Sequence, residues 1–164
     1  MKRIRIMTTG GTIDKIYFDA KSDYQVGPPN IVKILDELAL SLEYQVTSLM
    51  RKDSLEITDS DRQMIVAAVR DADESLIVVT HGTDTMVETA RALSGIPGKS
   101  IVLTGALEPA AFKTSDALFN IGGALAAVQV VSPGAYIAMN GRVFPHNRVR
   151  KNRELNRFVD SDPH

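Results

Sequence analysis

Three short segments carry nearly all the residues that could do chemistry. They read Thr8-Thr9-Gly10-Gly11-Thr12, Thr80-His81-Gly82-Thr83-Asp84-Thr85 and Thr104-Gly105-Ala106. Each follows an apolar run, and each joins hydroxyls to glycine. Glycine lets backbone approach a ligand without a Cβ clash. Such loops gather hydroxyls and free backbone N–H groups around a small polar substrate with carbonyl or carboxylate oxygens. A threonine hydroxyl is a poor nucleophile until a base takes its proton. Asp84 adjoins Thr83, and Lys151 in the C-terminal segment is the candidate base; a lysine can accept such a proton when desolvation disfavours its charged form.

Other machinery is missing. Gly10-Gly11 lacks the G-x-G-x-x-G spacing of a dinucleotide loop, and no Walker lysine pattern or G-x-S-x-G elbow occurs. The 3 histidines, His81, His146 and His164, are scattered without metal-ligand spacing. The chain has no cysteine, which excludes disulfides and thiolate chemistry. A net charge of −1 is not the footprint of a nucleic-acid binder. No apolar stretch approaches a membrane span, and Arg5 interrupts the first apolar run too early for a signal peptide. These features lead us to expect a cytoplasmic protein.

The elements that must position these loops alternate. Apolar, β-branched runs at residues 4–7, 44–49, 76–79, 101–103 and 135–139 read as buried strands. Helical patterns cover residues 30–40, 59–70, 85–93 and 115–131, with Thr58 as the N-cap of the second. This alternation predicts an α/β fold: a Rossmann-like, doubly wound, mainly parallel sheet of about five or more strands in three layers. The 164 residues suit one domain. Ligands in such folds collect beyond the C-terminal strand ends, where the threonine loops fall. Residues 14–27, with Tyr17, Phe18 and Tyr24, are too long for a tight turn and suggest a hairpin or lid. Residues 148–164 are polar and are expected to fray.

Plainer readings fit the same residues. Thr/Gly loops are ordinary turn chemistry, Thr83 and Asp84 could cap a helix, Lys151 lies in a basic run, and His81 reads as a structural hydrogen-bonding residue. Composition and spacing reach only a ligand-binding α/β domain with threonine-lined loops.

The loops resemble the bacterial-type L-asparaginase/glutaminase family. Thr9-Gly10-Gly11-Thr12-Ile13 is similar to its first signature, and Thr80 to Ala90 to its second. Leu103 to Pro109 and Ser115 to Asn120 add to the likeness, which runs from Ile4 to about Lys151. The resemblance implies Thr12 as nucleophile, and Thr83, Asp84 and Lys151 as the second threonine with its charge partners. Asp84 would also hold the substrate ammonium, Ser54 the α-carboxylate, and Tyr24 would belong to a lid over Thr12. Gly11, Gly82 and Ala106 would line the substrate site, with the Thr12 and Thr83 backbone N–H groups as oxyanion donors. Lys151 is matched through Met139-Asn140-Gly141-Arg142-Val143.

The implied reaction turns L-asparagine into L-aspartate and ammonia through an acyl-enzyme, with no cofactor or metal. Glutamine would be a weak substrate, because Leu55 stands where many secreted members have a polar residue. The likeness is to a short-chain, single-domain branch, 1–164, without the family's smaller C-terminal domain. It implies a homodimer or homotetramer. The alternatives are a non-catalytic asparagine or aspartate binder, an ordinary Rossmann-type nucleotide binder, and the asparaginase-like component of a tRNA-dependent amidotransferase. That component carries added domains for which this length leaves no room.

Overall fold

The computed structural model describes residues 2–164. The expected runs become β1 (Ile4–Gly10), β4 (Tyr44–Lys52), β5 (Leu76–Thr80), β6 (Ser100–Thr104) and β7 (Gly134–Met139). They form one sheet in the order β4-β1-β5-β6-β7, all parallel, and β8 (Arg142–Pro145) pairs antiparallel to β7 at the edge. Central strands such as β5 and β6 are apolar nearly throughout because both faces are covered.

Among the described residues, four α-helices supply the cover. They are α1 (Asn30–Asp36), α2 (Asp59–Asp71), α3 (Met86–Leu93) and α4 (Ala117–Val128). Ile65 and Val69 of α2 and Met86, Ala90 and Leu93 of α3 pack on Val79, Ile101 and Ile137 at one face. Ile31 and Leu35 of α1 and the buried side of α4 pack on Ile6, Val78 and Val102 at the other. The result is the three-layered, doubly wound architecture expected. Taken alone, the five parallel strands run second-first-third-fourth-fifth, so the chain reverses direction across the sheet between β1 and β5. In such sheets the crevice at the reversal is the place for a ligand.

Helix ends obey local chemistry. Thr58 and Asp61 form a full capping box: the Thr58 hydroxyl accepts from Asp61 N and the Asp61 carboxylate accepts from Thr58 N. The first helix stops at Asp36, short of the expected residue 40, and Leu38 and Leu40 are exposed. Ile31 and Leu35 are buried and Ile34 packs partly against the same cluster, whereas Leu38 and Leu40 have no such cover to reward further turns.

The segment at 14–27 is indeed a hairpin, β2 (Lys15–Phe18) against β3 (Asp23–Val26). The expectation that residues 148–164 fray is corrected. They form a second hairpin, β9 (Val149–Asn152) with β10 (Arg157–Asp160), and the tail beyond is tied by Ser161 N to Arg148 O and His164 N to Asn147 O. Val149 and Phe158 anchor it in the core beside Phe144. Two buried apolar side chains among many charges give too faint a signal to read as strands.

Phe158 is 3% exposed and is the Cα partner of Lys151 across this hairpin. Truncation Phe158→Ala should therefore cost about 3–5 kcal/mol, the usual range for a buried phenylalanine, measurable by urea unfolding. A loss below about 1 kcal/mol would mean that the hairpin is not anchored there.

Candidate active site

The site is set by the close meeting of the loops after β1 and β5. Gly11 has φ 88°, and a Cβ on it would collide with the Gly82 backbone N and Cα. A Cβ on Gly82 would stand 2.5 Å from the Ser54 Cβ and 2.7 Å from its Oγ. Both positions therefore exclude any side chain. Gly11, Gly82 and Ser54 are packed against one another, and Thr12 and Thr83 follow the two glycines directly. Thr12 opens a short 3₁₀ turn, Thr12–Asp14, and is half-buried, whereas Thr83 is buried.

The charged partners come from the far end of the chain. Lys151 Nζ donates to Thr83 Oγ1 at 2.7 Å and to Asp84 Oδ1 at 2.9 Å. The Lys151 and Asp84 side chains are only 14% and 29% exposed, so solvent screens this pair less than a surface ion pair. Arg153 adds a longer contact to the same carboxylate oxygen, at 3.8 Å. Ser54 is buried after β4; its Oγ accepts from Asp84 N at 3.2 Å, and its carbonyl accepts from the Thr85 hydroxyl at 2.8 Å. The Ser54 hydroxyl proton remains available to a ligand acceptor. Thr83, Asp84, Lys151, Ser54, Gly11 and Gly82 are thus brought together.

Two expected residues stand apart from this group. The Ala106 methyl is buried with Ile13 and Ala117, so any ligand contact would be through its backbone. Tyr24 sits on the hairpin, with its ring edge-on to Tyr17 at 5.4 Å and to Phe112 at 5.6 Å between centroids.

His81 is structural. A carbonyl can only accept, so its contact of 2.7 Å to Gly82 O puts the proton on Nδ1. Nε2 then accepts from the Thr89 hydroxyl at 2.8 Å, and that oxygen accepts from Arg62 Nε at 3.2 Å. Complete burial holds the imidazole neutral, down to about 4 from an ordinary 6.5.

Several supports of the site leave no signal in the sequence. Lys15 at the hairpin base pairs with Asp53 at 3.0 Å. Burial works against the Asp53 charge, yet the Leu55 N–H and Lys15 together hold its carboxyl below the usual range. Asp14 accepts from Asn30 N at 2.9 Å, and its own carbonyl accepts from Gly27 N, which closes the hairpin. Desolvation lifts its carboxyl to about 6. These partners are distant in sequence and have no motif.

A doubly wound α/β domain with a threonine-lined crevice at its chain reversal defines the class. Within that class, the family described as Asparaginase, N-terminal matches residues 3–158, and the chain belongs to it. It is 30% identical over 165 residues to the L-asparaginase of Thermococcus kodakarensis, a match that covers 93% of this chain and 48% of that protein. It is also 30% identical over 153 residues to a glutamyl-tRNA(Gln) amidotransferase component of Methanococcus maripaludis, covering 86% of this chain and 35% of that one. The solved structure of the thermostable L-asparaginase from T. kodakarensis superimposes with a TM-score of 0.83 at 27% identity, covering 96% of this chain and 51% of that one. The chain spans about half the length of the asparaginases it matches. Among the described residues, no helix is long and apolar enough to cross a membrane.

Two buried groups oppose each other in acid. The fold favours neutral His81, so its contribution to stability is present above 6.5 and is lost as the pH falls toward 4. The fold also favours neutral Asp14, whose ordinary value is 3.8, so its contribution is present in acid and fades as the pH rises toward 6. Asp14→Asn keeps an acceptor for Asn30 but removes the second effect. Its melting temperature should fall more steeply than wild type between pH 6.5 and 4. Parallel curves would contradict this.

Proposed function

We propose that this chain hydrolyses the side-chain amide of L-asparagine to L-aspartate and ammonia. The observation that carries the reading is the Lys151 ammonium joined to both the Thr83 hydroxyl and the Asp84 carboxylate. A capped helix start needs no lysine from 67 residues away. In this reading, Thr12 attacks the amide carbon and backbone N–H groups of Thr12 and Thr83 hold the tetrahedral oxyanion. Such donors contribute about 10²–10³-fold each. On collapse the amide nitrogen takes up the proton lost by the Thr12 hydroxyl and leaves as ammonia, with an acyl-enzyme on Thr12. Water then adds to the acyl carbon, its proton passing by way of the Thr83 hydroxyl, which Lys151 and Asp84 orient, to the departing Thr12 oxygen, and aspartate is released. Ser54 donates to the substrate α-carboxylate, Asp84 receives its ammonium, and Tyr24 belongs to the lid.

Assay of ammonia release should show Thr12→Ala, Thr83→Val and Lys151→Met each reduced by about 10³-fold or more, with unchanged circular dichroism. Folded wild type that releases no ammonia, yet melts higher with asparagine or aspartate, is a binder, and the catalytic roles are then withdrawn. The likeness to the amidotransferase component supports a second reading, in which the same amide chemistry supplies ammonia to a partner. Free asparagine would then be turned over poorly by the chain alone.

Leu55, beside Ser54, is 66% exposed and offers no polar contact to a longer amide. We expect a KM above the micromolar range and weak glutamine hydrolysis. Micromolar KM for both amides in steady-state kinetics would contradict this. The reading includes a homodimer or homotetramer. Helix α4 carries no charged residue, and its outer side exposes Leu118 and Phe119 beside Val143 of β8. A helix apolar on nearly all sides calls for cover. A concentration-independent monomer in sedimentation would sink this assembly.

A further inference from the structure

We infer that Phe112 is a positioning residue that holds the lid tyrosine, Tyr24, in place; the inference rests on the reading that Tyr24 works over Thr12. The hairpin β2–β3 is exposed along Tyr17, Phe18 and Tyr24, and its two short strands bury no side chain beyond its base. A two-stranded ribbon of this kind is marginal alone. Its root is fixed by Asp14, by Lys15 with Asp53, and by Ala110 N donating to Ile13 O at 3.1 Å. Toward the tip, the aromatic contact out of the hairpin is Tyr24 on Phe112, edge to face at 77°.

Phe112 stands on a stiff platform. Its loop is a closed turn, with Phe112 N donating to Pro109 O and Ser115 N to Phe112 O. Thr114 and Ser115 hydroxyls donate to the Glu108 carboxylate and carbonyl. Asp116 accepts from Leu107 N, Glu108 N and Asn120 Nδ2, and so ties the loop to β6 and α4. Phe112 itself is 39% exposed and lies in neither core cluster, so stability of the fold does not explain its aromatic ring. A rigid exposed ring facing the one hairpin tyrosine that points to it is a latch. It holds the Tyr24 ring at one place on the hairpin, the place from which the proposed reading has it close over Thr12.

An edge-to-face aromatic pair shifts an equilibrium by about 2- to 12-fold. Phe112→Ala should lower kcat for asparagine by that factor with little change in melting temperature. Phe112→Tyr should restore it. In a Tyr24→Ala background, Phe112→Ala should have no further effect on kcat. The contact is also read without activity: in wild type the Tyr24 ring protons should show nuclear Overhauser contacts to Phe112, and their ring-current shift should vanish in Phe112→Ala. Equal losses with and without Tyr24, or unchanged kcat together with an unchanged Tyr24 spectrum, overturn the latch. If wild type hydrolyses no amide, the functional reading fails. The spectrum then still decides the latch, since a Tyr24 ring indifferent to Phe112 overturns it and a Phe112-dependent shift upholds it.

Discussion

The structure depends on one close approach, where the backbone at Gly11 lies directly against the backbone at Gly82. A side chain at either position would have to occupy the other loop or Ser54. A third glycine extends the constraint, because a Cβ on Gly105 would run into the His81 carbonyl. Three loops from neighbouring parallel strands are thus stacked at van der Waals contact along the crevice. Two of the threonine hydroxyls along them are fixed to backbone, Thr9 donating to Thr80 O at 2.8 Å and Thr104 to Ala138 O at 2.7 Å. Gly10 does the same work toward β4: its φ is 102°, and a Cβ there would meet the Lys52 backbone N and O at 2.6 Å.

Charge is added to this neutral floor from outside. Lys151 reaches Thr83 only because β9 is pulled in by Val149 and by Phe158 across the ribbon. An ion pair that is partly buried is useful only where its remaining donors are satisfied, and Lys151 spends two of its three N–H groups on Thr83 and Asp84. Hydrophobic anchoring of a charged hairpin thereby becomes electrostatics at the hydroxyl. His81 plays no part in that charge. Buried and neutral, it fixes the Gly82 carbonyl on one side of the peptide that presents Thr83.

What can be read from sequence follows from how local each signal is. The five parallel strands are continuous apolar runs, and the Thr58 cap is written in adjacent letters, so both are legible. Thr83 and Asp84, which share a loop, and Thr12, which follows Gly10-Gly11, can be picked out as candidates for the same reason. Helix α1 reads too long because Leu38 and Leu40 continue its periodicity yet have no sheet to meet. The β9–β10 hairpin escapes notice because its burial rests on one side chain in each strand, Val149 and Phe158, among arginines, lysines and asparagines. Asp14, Asp53 and Phe112 are invisible for a different reason: their partners, Asn30, Lys15 and Tyr24, are joined to them only by the fold.

The parts of the site also differ in how firmly they are held, and the difference follows the chemistry asked of them. Gly11, Gly82 and Ser54 leave no room for an added side chain, which suits the proposed reading, in which this floor meets a developing oxyanion and a carboxylate at fixed distances. Tyr24 is 44% exposed on a ribbon pinned mainly at its base, which suits the lid role proposed for it. A roof as rigid as the floor would seal the crevice, and a floor as loose as the roof would blur the alignment on which a weak nucleophile such as threonine depends. The division between β-strand ends and an added hairpin is therefore what lets one small α/β domain hold its hydroxyls still while keeping a way in.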